Sequence, residues 1–292
     1  MMFNFEVNQH LFYAMASGDS STLIEAMQDT KRRPATAQWG QFLRNHDELD
    51  LGRLTVGQRQ KVFAEFGPEK SMQLYERGIR RRLAPMLHGD RRRLELAYSL
   101  MMTLPGTPVL RYGDEIGMGD DLRLPERNCA RTPMQWSTEP NAGFTTHPKS
   151  ILPVITEGAY GFRRLNVATQ RRDPNSFLNW MERIIRMRKE IPEIGWGDFS
   201  VLPLRMPNVL AMAYEWRNNC VLFLHNLISE PQELRFRLPA KCCSDKNLLV
   251  NLLSGDNSEA NERGRHCVVL EPYGYRWYRV GGLDYLLRRS DV

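Results

Sequence analysis

The stretch FLRNHDELD, residues 42–50, decides the fold prediction for this sequence. A short apolar start leads directly into Asn45, His46 and Asp47, so an imidazole and a carboxylate follow a segment that is typical of a short strand. Barrels of parallel strands and helices carry their functional residues at this end of each strand. Catalytic carboxylates usually work in groups, so the rest of the sequence should show where the partners of Asp47 lie.

Segments around this stretch alternate in the order typical of βαβ units. We predict a buried strand over residues 2–7, a helix over 20–29 and a short strand over 41–44. The stretch DRRRLELAYSLMMTL, residues 90–104, has an apolar stripe at helical spacing, and a strand over 108–112 follows it. This alternation predicts a parallel sheet of the α/β class.

The second part of the chain has a different pattern. A long loop rich in Gly, Pro, Asn and Asp runs over residues 113–175, and Asp173 is the predicted N-cap of the next helix. From about residue 201, apolar and polar residues alternate in short runs, which predicts antiparallel strands. We therefore predict an α/β domain over residues 1–200 and an all-β domain over residues 201–292.

Composition is that of a globular protein. The 292 residues are 42% hydrophobic and 25% charged, and no apolar run approaches the length of a membrane span. The N-terminal stretch carries Glu6 and no basic segment, so we expect no signal peptide and a cytoplasmic location. The five cysteines form no Cys-x-x-Cys pair and the histidines lack metal-ligand spacing. We therefore predict reduced thiols and neither a metal nor a cofactor.

The net charge of +6 comes mainly from paired and tripled arginines. Such patches attract polyanions, which is one interpretation. Solvated helix faces are the other, and we favour it because the arginines alternate with Glu and Asp and no nucleic-acid motif accompanies them. The sequence thus predicts neither a nucleic-acid nor a membrane partner. The clusters lie at residues 80–82, 91–93, 163–164, 171–172 and 288–289.

Four motifs, in order, carry a resemblance to a known family. They are NHDE (45–48), PGTPVLRYGDEIGMGD (105–120), RTPMQWS (131–137) and AGF (142–144). Together they resemble glycoside hydrolase family 13 and, within it, the trehalose synthase subfamily. LNW in the last barrel helix and LEPYGYRWYRV near the C-terminus are similar to the same family. The resemblance implies a (β/α)8 TIM barrel followed by a C-terminal antiparallel β-sandwich.

By this analogy only the last part of the barrel is represented. Residues 2–7, 42–44 and 109–112 would be barrel strands six, seven and eight, and strands one to five have no counterpart. The open strand edges that result predict marginal stability, self-association or dependence on another polypeptide.

The resemblance also implies which catalytic groups are present. Asp47 matches the third carboxylate of the family, which stabilises the transition state, while His46 and Arg131 match its substrate-binding residues. The nucleophile would be an Asp in G-F-R-x-D after strand four, and the acid/base a Glu after strand five. Neither has a matching position, since the lookalike GFRRL (161–165) has Leu165 in place of the Asp and lies too late in the chain.

Other polar residues near these motifs are interpreted as structural. Asp114 and Glu115 are poorly placed to act as a catalytic pair, since neighbours on a strand point to opposite faces. The resemblance implies that they hold the loop after strand eight instead. Glu48 and Asp50 are expected to be polar loop residues.

Aromatic and amide side chains near the motifs are likewise assigned to packing. Gln135 and Trp136 are expected to pack the long loop rather than bind sugar. The alternating aromatic residues near the C-terminus are expected to be core. They are Tyr273, Tyr275, Trp277 and Tyr278.

Three hypotheses for function remain open. The first is a truncated family member without turnover of its own, whose relatives interconvert maltose and trehalose. The second is half of a split family 13 enzyme of the α-glucosidase or α-amylase type, completed by an N-terminal half. The third is a carbohydrate-binding or scaffold protein. Under each, the small-molecule partner is maltose, trehalose or another α-glucoside.

Overall fold

The structure, a computed structural model, describes residues 1–238 and 248–281 except residues 33 and 35. Its α-helices are α1 (Phe5–Ser17), α2 (Ser21–Asp29), α3 (Val56–Phe66), α4 (Leu83–Met86), α5 (Arg91–Thr103), α6 (Val167–Arg172), α7 (Phe177–Lys189) and α8 (Glu193–Trp196). Its strands are β1 (Met2–Phe3), β2 (Trp39–Gln41), β3 (Leu49–Asp50), β4 (Gln73–Leu74), β5 (Gly78–Ile79), β6 (Thr107–Pro108), β7 (Asp198–Val201), β8 (Val209–Trp216), β9 (Asn219–Asn226), β10 (Gln232–Phe236), β11 (Leu248–Asn251), β12 (Ser258–Glu259), β13 (His266–Leu270) and β14 (Tyr275–Val280). Short 3-10 helices span Lys70–Met72, Asp114–Ile116, Glu126–Ala130 and Pro140–Gly143.

Three short parallel strands form the first sheet, in the order β1-β2-β6. Met2 pairs with Trp39, and Gly40 pairs with Thr107. Helices α1 and α2 connect β1 to β2, and the segment that contains α5 connects β2 to β6. The predicted partial barrel of three parallel strands with intervening helices is therefore confirmed.

The strand boundaries differ from the predicted ones. Residues 2–7 are not one buried strand, because Asn4 caps a helix there: its side chain accepts a hydrogen bond from the backbone N–H of Val7. The other two strands lie a few residues earlier than predicted, in β2 and β6. Phe42, Leu43 and Arg44 are buried directly beyond β2 but do not pair as a strand.

Capping residues mark where helices α5 and α7 begin. Helix α5 begins after Asp90, whose side chain accepts a hydrogen bond from Arg92 N–H, as predicted. Helix α7 begins later than predicted, because Ser176 rather than Asp173 is its N-cap. The loop predicted over residues 113–175 also contains helix α6.

The C-terminal region is a six-stranded antiparallel sheet in the order β12-β11-β14-β9-β8-β7, which β10 and β13 cover as a two-stranded sheet. Alternate residues of each long strand face opposite sides. On β9, Val221 and Phe223 belong to the core shared with the helices, whereas Leu222 and Leu224 face a second core that includes Leu234 of β10. The antiparallel β domain is thus confirmed, and β7 crosses the predicted boundary near residue 200.

Buried polar groups join this sheet to the helices. Trp277 Nε1 on β14 donates to Ser99 Oγ on α5 at 2.8 Å, and that hydroxyl lies 2.9 Å from His225 Nε2 on β9. Tyr214 Oη on β8 donates to the carbonyl oxygen of Thr103 at 2.7 Å. Because these groups are buried, the bonds fix how the β domain sits on α5.

The cysteines differ in part from the prediction. Cys129 and Cys267 are free thiols, as expected, whereas Cys220 is disulfide-bonded, so the prediction of reduced thiols is wrong for that residue. Cys242 and Cys243 lie outside the described residues. In the described part of the chain, no helix is long and apolar enough to span a membrane, and no group of three or more His, Cys, Asp or Glu side chains is placed to hold a metal ion.

Candidate substrate-contact site

The loops that follow β2 and β6 carry the three candidate site residues. His46 and Asp47 lie just beyond β2, and Arg131 lies in the long loop beyond β6. Because β2 and β6 are parallel neighbours, their carboxyl ends meet at one edge of the sheet. The fold therefore brings together residues that are 84 positions apart in the sequence.

Arg131 contacts both other candidate residues. Its Nε donates to the carbonyl oxygen of His46 at 2.9 Å, and its Nη2 lies 3.2 Å from Asp47 Oδ1. Arg127 adds a second cation 3.4 Å from the same carboxylate oxygen. The Asp47 side chain is nevertheless 53% exposed, so the carboxylate is held in position and still open to a ligand.

Buried arginines fix the backbone on which these side chains stand. Arg44 donates from Nη2 to the carbonyl oxygen of Asp47 at 2.7 Å, and burial lowers its pKa to about 10, with Arg111 adding to the effect. Arg111 donates to the carbonyl oxygen of Asn45 at 2.8 Å and also to that of Ala130. The loops after β2 and β6 are thus tied to each other directly beside the candidate residues.

The His46 ring lies in a cationic environment. Partial burial lowers its pKa, and Arg111 and Arg131 lower it further, so the imidazole is neutral at neutral pH. A neutral imidazole has one donor and one acceptor nitrogen, which suits hydrogen bonding to a hydroxyl. The ring packs at 5.8 Å between centroids against Tyr112, whose hydroxyl donates to the carbonyl oxygen of Thr132 at 2.9 Å.

Glu48 is a polar residue of the loop after β2, as expected, and it ties this loop to Arg127. Its side chain is only 8% exposed and accepts from Arg127 Nε at 2.7 Å. Burial alone would raise its pKa, but the hydrogen bond from Arg127 lowers it overall. Sequence reasoning missed Arg127. Its place in the chain between the YGDE and RTPMQW motifs was the available signal.

Asp114 and Glu115 lie in a 3-10 helix directly after β6 rather than on a strand. Asp114 is buried 3.8 Å from Arg82 Nη1. Burial raises its pKa to about 6, against the lowering effect of Arg82 and Arg111. Burial also raises the pKa of Glu115. The charge of Asp114 is balanced inside the loop, which agrees with a structural role.

The lookalike motif at residues 161–165 is part of a turn. Leu165 N–H donates to the carbonyl oxygen of Gly161 at 3.0 Å, and Phe162 is buried. Gln135 Nε2 donates to the carbonyl oxygens of Tyr160 and Leu165, so this side chain packs the loop as expected.

The aromatic residues differ from one another in exposure. Trp277 and Tyr278 are core, as predicted, whereas Tyr273 and Tyr275 are half-buried. Trp136 is 48% exposed, so part of this residue is covered by the loop and part is open to solvent.

Two family models match the chain. The model described as the α-amylase catalytic domain matches residues 75–197. The model described as the sucrose hydrolase-like C-terminal domain matches residues 219–279.

Sequence and structure comparisons with known proteins agree with the family models. The chain is 36% identical to the trehalose synthase of Thermus thermophilus, covering 98% of this chain and 30% of that protein. It is 39% identical to the trehalose synthase/amylase of Mycolicibacterium smegmatis, covering 82% of this chain and 42% of that protein. The solved α-amylase of H. orenii shares the fold, with a TM-score of 0.66 at 20% identity over 95% of this chain and 48% of that chain. The chain thus spans less than half the length of these relatives. Similarity along nearly the whole sequence assigns it to the α-amylase superfamily, glycoside hydrolase family 13, where it matches a portion of the trehalose synthases.

Proposed function

We propose that this chain forms the sugar-contact part of an α-glucosyltransferase site that acts on maltose or trehalose. The observation that carries the proposal is the contact of Arg131 with both His46 and Asp47 at the carboxyl end of the parallel sheet. The similarity to trehalose synthases supports this substrate class over other small molecules.

Each residue then has a chemical role. Asp47 accepts hydrogen bonds from sugar hydroxyls, and these strengthen as positive charge develops on the ring in the transition state. The neutral imidazole of His46 contacts another hydroxyl, and Arg131 orients both groups while keeping its own N–H groups close to the ligand.

The two remaining catalytic carboxylates are proposed to come from polypeptide outside these 292 residues. Retaining glycosidases need a nucleophile and an acid/base on either side of the scissile bond. No position of this sequence matches the family motif for either one. With both supplied, the acid would protonate the leaving O4 of maltose as the nucleophile takes the glucosyl C1, which leaves a covalent glucosyl-enzyme and free glucose. The C1 hydroxyl of that glucose, deprotonated by the same residue, would then displace the nucleophile and form the α,α-1,1 linkage.

The open edge of the sheet is the proposed contact for that polypeptide. Strand β1 is one of the two outer strands; its residues Met2 and Phe3 are 58% and 46% exposed, and Phe5 just after it is 40% exposed. Phe3 and Phe5 each pack edge-on against Phe42 at 5.1 and 5.2 Å. An exposed apolar cluster at an unpaired strand favours association with another chain or with a second copy.

The first test measures maltose binding and maltose turnover by the purified chain, with glucose and trehalose as the products monitored. We expect binding without turnover. Asp47→Asn should weaken binding by about tenfold, since a hydrogen bond to a charged group typically contributes about 1.5–3 kcal/mol. Asp50→Asn is the matched control, because Asp50 lies in the same segment but bonds locally to Gly52 N–H and Arg77.

Two outcomes would contradict the proposal. Turnover that Asp47→Asn abolishes would mean that this chain holds its own nucleophile and acid. Absence of sugar binding would exclude the sugar-contact role and favour the scaffold hypothesis. Addition of a polypeptide carrying the missing barrel strands should restore turnover in the wild type and not in Asp47→Asn.

A further inference from the structure

A groove in the β domain has no role in the site described so far. Its volume is about 870 Å³, which lies within the range of ligand-binding pockets. Two segments line it: residues 233–237, in and just after β10, and residues 202–206, between β7 and β8. The groove thus follows β10 over nearly the whole length of the strand.

Strand β10 has one unpaired side. It pairs with β13, from Gln232 opposite Leu270 to Phe236 opposite His266, and the two strands form a sheet of their own. Among the described residues, no strand pairs with the other side of β10. Since an antiparallel strand directs backbone N–H and C=O groups to both sides, β10 offers a row of donors and acceptors to an added strand.

Apolar side chains form the inner part of the groove. Leu234 and Phe236 of β10 and Leu202 from the other segment are buried and belong to one core. Leu204 and Met206 are partly buried and pack against the same core. An added strand would place every second side chain against these residues and the intervening ones toward solvent.

Arginines dominate the charge of the groove. Among its described lining residues, four are arginines and one is a glutamate. Glu233 is already paired with Arg235 at 2.6 Å. Arg205, Arg237 and Arg265 are exposed, and none of the three forms an ion pair with another described residue. Because a guanidinium group binds a carboxylate through two parallel N–H···O bonds, this lining is complementary to acidic side chains.

We propose that this groove binds an extended acidic segment of another protein, which adds to β10 as a further strand. Backbone hydrogen bonds supply the affinity of such an added strand, and its alternate side chains supply specificity. Arg235 and Arg237 are two positions apart and point to the same side of the strand. The segment therefore carries acidic residues two positions apart with an apolar residue between them.

Other partners fit the groove less well. Single-stranded nucleic acids bind by stacking bases on accessible aromatic rings, whereas Phe236 in this groove is buried. A second copy of the chain is disfavoured by charge, since the sequence carries a net charge of +6. The sugar-contact residues do not line the groove, so the inference is independent of the proposed function.

Fluorescence anisotropy of a labelled peptide titrated with the full chain tests the inference. In the peptide, glutamate and valine alternate over about seven residues, slightly more than the length of β10. A peptide with lysine in place of glutamate is its control. We expect the glutamate peptide to bind and the lysine peptide not to bind, because only the first is complementary to the arginines.

Variants of exposed arginines locate the binding surface. Arg237→Glu should weaken binding of the glutamate peptide by about tenfold, because it replaces an attractive charge by a repulsive one. Its far-UV circular dichroism should match that of the wild type, since Arg237 is exposed. Arg217→Glu is the matched control: Arg217 is exposed on the turn between β8 and β9, and its replacement changes the net charge equally outside the groove.

Two N-methylated forms of the glutamate peptide test the strand geometry. Methylation of every second backbone nitrogen removes the donors on one side of the extended peptide, and methylation of the intervening nitrogens removes those on the other side. We expect one form to bind about tenfold more weakly than the other, because only one set of donors reaches β10.

The outcomes that would overturn the inference are distinct. If the wild type does not bind the glutamate peptide, or if the two methylated forms bind equally, strand addition is excluded. If Arg217→Glu weakens binding as much as Arg237→Glu, the effect is one of net charge and the groove is excluded. If a single-stranded oligodeoxynucleotide of equal charge binds as tightly as the peptide, the surface is a general polyanion site and the acidic polypeptide is excluded as its specific partner.

Discussion

The β domain and the barrel segment differ in how much of each sheet is buried. The six-stranded antiparallel sheet buries both faces, one against the helices and one against the strands β10 and β13. The parallel sheet consists of strands of two and three residues, and β1, one of its two outer strands, leaves Met2 and Phe3 exposed. Among the described residues, the first sheet is covered on both faces, whereas the second has an exposed apolar outer strand.

The difference shows where the stability and the function of this chain lie. Trp277, Ser99 and His225 are buried and in hydrogen-bond contact with one another where the β domain meets α5. The candidate site lies at the other region, on loops that arginines rather than apolar packing hold together. Stability should therefore respond to changes in the β domain, and ligand binding to changes in the loops.

The largest effect is expected for Trp277→Ala. The side chain is fully buried, packs on Phe223 at 5.3 Å and donates to Ser99. Truncation removes the apolar contact, leaves a cavity and deprives Ser99 of its donor. The free energy of unfolding should fall by about 3–5 kcal/mol, as measured by urea denaturation with far-UV circular dichroism. A loss below about 1 kcal/mol would mean that this interface does not hold the domain in place.

Trp196→Ala provides the comparison on the surface. The side chain is 77% exposed on α8, so the free energy of unfolding should change by no more than about 0.5 kcal/mol. Equal losses for the two tryptophans would show a general effect of removing an indole rather than an effect of the interface.

A smaller and pH-dependent effect is expected for His225. Burial lowers its pKa from 6.5 to about 3. The folded state therefore binds fewer protons than the unfolded state between these values, so this residue's contribution is present above pH 6.5 and is lost as the pH falls. From pH 7 to pH 5 the loss should be about 2 kcal/mol. Ser99 Oγ, which accepts from Trp277 Nε1, lies 2.9 Å from Nε2 of this buried ring.

Comparison with His225→Gln isolates this contribution, because Asp114 acts in the opposite direction. Its raised pKa of about 6 makes folding more favourable as the pH falls through that value. The difference in unfolding free energy between wild type and His225→Gln should shrink by about 2 kcal/mol from pH 7 to pH 5. The difference between wild type and Asp114→Asn should instead grow as the pH falls. A difference that is independent of pH would show that His225 is not buried as a neutral group.

Elements with strong local signals were predictable from the sequence. The cap at Asp90 and the apolar stripe behind it placed α5 to within a residue, because a helix of this length is specified by its own residues. The strand over residues 2–7 was wrong because an apolar run does not distinguish a strand from a helix, and only the Asn4 cap decides between them.

The ligand-facing residues of the site were predictable from the sequence, but the residues that hold them in place were not. Motif order identified Asp47 and Arg131, whose side chains the structure brings together. The arginines that fix these loops, Arg44 and Arg111, bond to backbone carbonyl oxygens. Every residue has such an acceptor, so no sequence pattern marks which one an arginine will reach.

A small effect on stability and the clearest effect on assembly are expected for Phe3→Lys at the barrel edge. Phe3 is 46% exposed and contacts the rings of Phe42 and Phe5, so the unfolding free energy should change by about 1 kcal/mol or less. A lysine at a strand edge opposes pairing with another chain. We therefore expect the wild-type mass, measured by light scattering, to rise with concentration and that of Phe3→Lys to stay at the monomer value. Val269→Lys, at a 55% exposed position on β13, should associate like the wild type. If both lysine variants reduce association equally, the interface is not at β1. Self-association would then not depend on the exposed edge of the parallel sheet.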